Sequence, residues 1–138
     1  NPFNLVFGRP GVLFLARVWE GHELELVPLP QGINVISNDC WGQQYERKLR
    51  RAEGLASNVK SGRIVEVVDG LRGMMRDHDD CVDPFQSLCV HAEDHAFGTR
   101  STSIITVSNQ KDVMYWYSEG HPCQSKLLEC VGVLPHTE

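Results

Sequence analysis

The chain has 138 residues, 41% of them apolar and 22% charged, with a formal net charge of −5. These proportions belong to one ordinary globular domain and leave no room for two full ones. The acidic balance argues against general nucleic-acid binding, which needs a basic face, and no apolar run reaches the roughly 18 residues of a membrane span.

Phe3 to Phe7 reads as a strand, and Gly8-Arg9-Pro10-Gly11 as a turn. Val12 to Trp19 reads as a second strand. Its Val12-Leu13-Phe14-Leu15 run is apolar on both faces, the pattern of a sheet covered on both sides. Glu20-Gly21-His22 is a short loop, after which Glu23 to Val27 alternates strictly, like a half-exposed strand. Beyond Pro28 and Pro30, Gly32 to Ser37 is expected to form a further strand ending at Asn38.

Two helices are expected next. Tyr45, Leu49, Ala52 and Ala56 share one helical face, with Asn38 or Asp39 placed to cap the start. Ile64, Val67, Val68, Leu71, Met74 and Met75 make a broad apolar stripe, with Ser61 as its expected N-cap. The acidic run at Asp77, Asp79 and Asp80 and then Pro84 close this helix.

The last third reads as β again. A short strand is expected over Ser87 to His91 and a long one over Arg100 to Val107. A turn at Asn109-Gln110-Lys111-Asp112 leads to Val113–Ser118, and an edge strand follows within Lys126 to Val133. Strands, two helices, then strands make an α+β fold with antiparallel sheet and helices packed on a sheet face.

The five cysteines are odd in number and widely spaced, a poor disulfide framework that fits a reducing, cytoplasmic setting. His78, Cys81, Cys89, His91 and His95 lie near one another in sequence. Cys89 and His91 are only two apart, too tight for the paired spacing of a zinc site, so no metal or other cofactor is expected. Cys40 precedes a helix but has no histidine near it in sequence, and it reads as a buried structural thiol. The basic run at Arg47, Lys48, Arg50 and Arg51 reads as a solvated helix face.

Two residues remain as candidates for chemistry. Asn38 ends a strand, where its amide either caps the next helix or donates to an oxyanion. Arg100 follows Gly98 at the start of a strand, where its fork of donors either fixes a carboxylate or joins a surface ion pair.

Phe97-Gly98-Thr99-Arg100-Ser101-Thr102-Ser103-Ile104-Ile105 resembles the aromatic-Gly-Thr-Arg block of the family named for its Asn-Arg-Asp-Glu signature, whose eukaryotic members are called transport and Golgi organisation protein 2. Phe3-Asn4-Leu5-Val6 and Gly32-Ile33-Asn34-Val35-Ile36-Ser37-Asn38 are similar to two further segments of that family. The likeness covers residues 3–50 and 96–120, and it departs at Tyr45-Glu46-Arg47, where the family usually carries Trp-x-Lys.

The resemblance implies a partial αββα sandwich of the N-terminal-nucleophile hydrolase kind, with two central helices. It implies a C-terminal portion of the family domain, lacking the terminal Cys nucleophile and the signature itself. In the related cysteine amidases, residues placed like Asn38 and Arg100 form the oxyanion hole and flank the nucleophile. The expected function is therefore an amide-bond hydrolase framework, inactive without that nucleophile. The alternative is a non-enzymatic carrier of a lipid-like or haem-like ligand. The expected partners are the missing N-terminal segment or a second copy of the chain, together with a small amide or lipid-like ligand.

Overall fold

The computed structural model describes residues 3–19, 21–37, 46–79, 83–108 and 112–130. Among these residues it is a mixed α+β structure with three small antiparallel sheets and two α-helices. The chain divides into two compact units, residues 1–53 and 54–138, with helix α1 (Glu46–Ser57) running through the division.

The first unit carries a meander of β1 (Phe3–Arg9), β2 (Val12–Val18) and β3 (Glu25–Leu29). The β1–β2 hairpin pairs Phe3 with Val18 and Arg9 with Val12. Gly8 makes it close, since a Cβ there would lie 2.2 Å from the Val12 carbonyl oxygen. Phe7 and Phe14 sit opposite each other with stacked rings 5.9 Å apart. Arg17 faces Glu25 across β2 and β3, forming a 2.9 Å ion pair, and its guanidinium lies over the Trp19 ring. Leu15 and Ala16 are buried, whereas Phe3, Leu5 and Phe7 are exposed.

Two expectations here are corrected. The third strand starts two residues later than Glu23 and continues through Pro28 to Leu29. Residues 33–37 form no strand. The Asn34 side-chain amide donates to the carbonyls of Pro30 and Gly32, a local turn that competes with ladder pairing. Ser37 is tied down by Asn4, whose amide donates to the Ser37 carbonyl at 3.0 Å.

The second unit is built on α2 (Ile64–Met75) and a sheet of β6 (Ser101–Val107), β7 (Val113–Glu119) and β8 (Leu128–Glu129). Between them lies a two-residue pair, β4 (His91–Ala92) with β5 (Phe97–Gly98). Val68, Ile104 and Trp116 form the core, with Ile64, Leu71, Met114 and Leu127 packed around it. The apolar stripe of α2 is thus spent on the inner face of β6 and β7. Strand alternation sends Thr102 and Ile104 inward while Ser103 and Ile105 face out. The expected cap is also corrected. Arg63, not Ser61, is the N-cap, and Glu66 reaches back to accept from the Arg63 backbone N–H at 3.2 Å. Among the described residues, no helix is long and apolar enough to cross a membrane.

Candidate metal centre

Residues 87–89 are a bend, not the expected strand, and this changes what Cys89 can reach. On an extended strand, side chains two apart leave the same face about 6.6 Å from each other. The Cys89 backbone N–H donates to the Asp77 carbonyl at 3.0 Å, and the Asp79 N–H donates to Ser87 Oγ at 3.0 Å. These bonds lay residues 77–79 beside 87–89. Cys89 Sγ and His91 Nε2 then converge to 3.5 Å.

A third segment completes the cluster. The Gln124 and Ser125 N–H groups close a turn on the His121 carbonyl. That turn presents Cys123, whose Sγ lies 3.2 Å from His91 Nε2. The Arg76 guanidinium donates to the Cys123 carbonyl at 3.0 Å. The His78 ring sits 5.1 Å from the His91 ring. One ligand atom from each of His78, Cys89, His91 and Cys123 lies within 4.8 Å of all the others.

This is a Cys2His2 donor set. A tetrahedral Zn2+, with bonds of about 2.3 Å to sulfur and about 2.0–2.1 Å to nitrogen, spaces its ligand atoms about 3.3–3.8 Å apart. The two His91 contacts, at 3.5 and 3.2 Å, are already close to that spacing, and a pair at the full 4.8 Å would need to close by about 1 Å. Cys89 is fully buried, Cys123 and His91 are half-buried, and His78 is exposed, so the cluster opens to solvent on the His78 side.

Without an ion, the pKa shifts of Cys89 and His91 both favour the neutral side chains: His91 is ready to ligate, whereas Cys89 must give up its proton. Burial pushes the Cys89 thiol up to about 11 from 9.0, helped by the neighbouring Cys123 thiol, while the Cys123 backbone and Arg76 pull the other way. Burial also lowers His91, as do the nearby His121 and His78 rings. A neutral imidazole is the ligating form, and a bound dication would replace the thiol proton.

The centre abuts a cleft. His121 stacks on His91 with ring centroids 3.9 Å apart, and it also lines a cleft of about 520 Å³ with Phe97, Thr99, Arg100 and Glu119. The Thr99 N–H donates to the Val90 carbonyl at 3.1 Å, and Thr99 Oγ1 accepts from the Val90 N–H at 3.0 Å. The Arg100 carbonyl accepts from the Gly120 N–H at 2.7 Å. The Gly98-Thr99-Arg100 segment is therefore fastened to the strand that carries His91.

Of the two residues singled out by sequence, Arg100 is exposed at this cleft and takes no part in the cluster. Asn38 lies outside the described residues, as do Asp39, Cys40 and Cys81. His95 turns away, its ring 5.6 Å from that of Phe85. Cys123, 32 positions from His91, was not among the residues that sequence spacing grouped. No local pattern could have found it. Comparison with family models, with curated proteins and with solved structures gives no significant match.

Proposed function

We propose that this chain binds one zinc-class ion through His78, Cys89, His91 and Cys123, and that the ion fixes the Gly98-Thr99-Arg100 segment at the mouth of its cleft. The observation that carries this reading is the convergence of the four ligand atoms within 4.8 Å. Four protein ligands of this kind favour a closed, structural site, whose role is to add binding free energy to folding. The test is titration of the reduced, metal-free chain with Zn2+ and with Co2+. One ion per chain is expected. The cobalt form should show the visible bands of a tetrahedral site and a sulfur-to-metal charge-transfer band, both lost in Cys89→Ala. Absence of uptake, or uptake unchanged in that variant, overturns the reading.

A second reading concerns the cleft, and the exposed guanidinium of Arg100 beside it favours this reading. It is the amide-bond hydrolase framework of the Asn-Arg-Asp-Glu family, an αββα sandwich in which Arg100 orients a carboxylate or a nucleophile. A carrier of a lipid-like or haem-like ligand is the competing use of the same surface. Equilibrium binding separates them. A small acyl-amide bearing a carboxylate, held by the chain but not by Arg100→Ala, supports the first. Haem or lipid binding indifferent to Arg100 supports the second.

A further inference from the structure

We infer that Cys89 and Cys123 are an oxidation-sensitive pair whose disulfide expels the metal ion and so makes metal retention dependent on peroxide. The inference rests on the metal reading and names a regulation of that same site. Three observations carry it. Cys89 and Cys123 are free thiols, and their sulfurs lie within the 4.8 Å span of the cluster. Among the described residues they are the two sulfur ligands of the cluster, so pairing them removes both of these anionic ligands at once. Both lie in irregular segments: residues 87–89 are a bend, and residues 122–124 are a turn. Neither sulfur is held by a helix or a long strand, so closing to the roughly 2.05 Å of a disulfide needs loop adjustment only.

Accessibility sets the order of events. Cys123 is half-buried and Cys89 fully buried, so Cys123 meets the oxidant first. The Cys123 thiolate attacks hydrogen peroxide; its S–O bond forms, the O–O bond breaks, and the departing hydroxide takes a proton to become water. The Cys89 thiolate then attacks the sulfenic sulfur, the S–S bond forms, and the second hydroxide leaves and is protonated. Two thiolates, one peroxide and two protons become one disulfide and two waters. The two electrons pass from sulfur to peroxide, and the metal ion leaves with its charge unchanged. His78 and His91 alone are then too few ligands to hold it.

The experiment uses the full chain loaded with Zn2+ and exposed to hydrogen peroxide. Released zinc is read with a chromogenic chelator, free thiols by a thiol reagent, and linked peptides by mass spectrometry after digestion. The expected result is loss of one zinc and two thiols per chain together, with a Cys89–Cys123 peptide. Reductant plus Zn2+ should restore the starting state. A variant carrying Cys40→Ser, Cys81→Ser and Cys130→Ser should behave identically. Zinc uptake followed by peroxide oxidation that leaves the zinc bound, or that links other cysteines, overturns this inference alone. Failure of the reduced chain to take up zinc overturns the metal reading, and this inference with it.

Discussion

Gly98 and His121 compete for the same space: a Cβ on Gly98 would lie 2.6 Å from Cε1 of His121 and 3.1 Å from the Val90 carbonyl oxygen. Because His121 stacks on His91, Gly98 sets how closely the cleft can approach the Cys2His2 donor cluster. Gly98→Ala should force the imidazole or the β4–β5 pair to shift. The expected cost is about 1–3 kcal/mol, the usual range for overpacking. Urea unfolding with and without Zn2+ checks it. Full stability together with unchanged zinc affinity would mean that His121 moves aside freely.

The inner face of β6 makes a paired prediction. Ile104 is 4% exposed in the core with Val68 and Trp116, whereas its neighbour Ile105 is 62% exposed. Ile104→Ala should cost about 2–5 kcal/mol and Ile105→Ala less than about 0.5 kcal/mol. Chemical denaturation of the two variants reads the register directly, since a one-residue slip would reverse the order.

The α2 stripe and the β6 and β7 strands were legible because their pattern repeats over seven or more residues, and side-chain period alone assigns their faces. Gly32–Ser37 misled for the opposite reason. It is apolar enough for a strand, but the Asn34 amide satisfies nearby carbonyls locally. Ser61 was a reasonable cap by residue type. The observed start instead uses Glu66 at the third helical position, so the signal sat inside the helix. The four-residue donor cluster was hidden by two facts. A bend replaces the strand geometry expected for Cys89 and His91, and Cys123 arrives only through tertiary folding. Arg100 was not legible as a ligand contact because an exposed guanidinium serves ion pairs and ligands alike.

The metal-free chain should have a distinct alkaline limb. Burial raises the Cys89 thiol to about 11 in the folded state, against 9.0 for an ordinary thiol. The folded state therefore favours the protonated form. That stabilisation is fully present below about pH 9 and is lost as pH rises from 9 toward 11, a loss on the order of 2 kcal/mol. Melting temperatures of chelator-treated protein across that window should fall more steeply than those of Cys89→Ala. With Zn2+ bound the thiol carries no proton and this limb should flatten, while acidification should weaken zinc binding by protonating the ligands. Parallel curves for the wild type and Cys89→Ala would show that the thiol is not desolvated.

Removing Arg100 should separate architecture from recognition. Its side chain is exposed, and its backbone bond to Gly120 survives substitution. Arg100→Ala should leave stability within about 0.5 kcal/mol of the parent chain and zinc stoichiometry unchanged. A carboxylate probe such as an N-acyl amino acid should lose its binding to the cleft, because no fork of donors remains to pair with both oxygens. Arg100→Lys should recover only part of it, since an ammonium supplies charge without the planar, bidentate geometry. Ligand-observed NMR of the three proteins decides the matter. Equal probe binding in all of them would free Arg100 from any role at the cleft and leave the neighbouring His121 and Glu119 as the groups to examine.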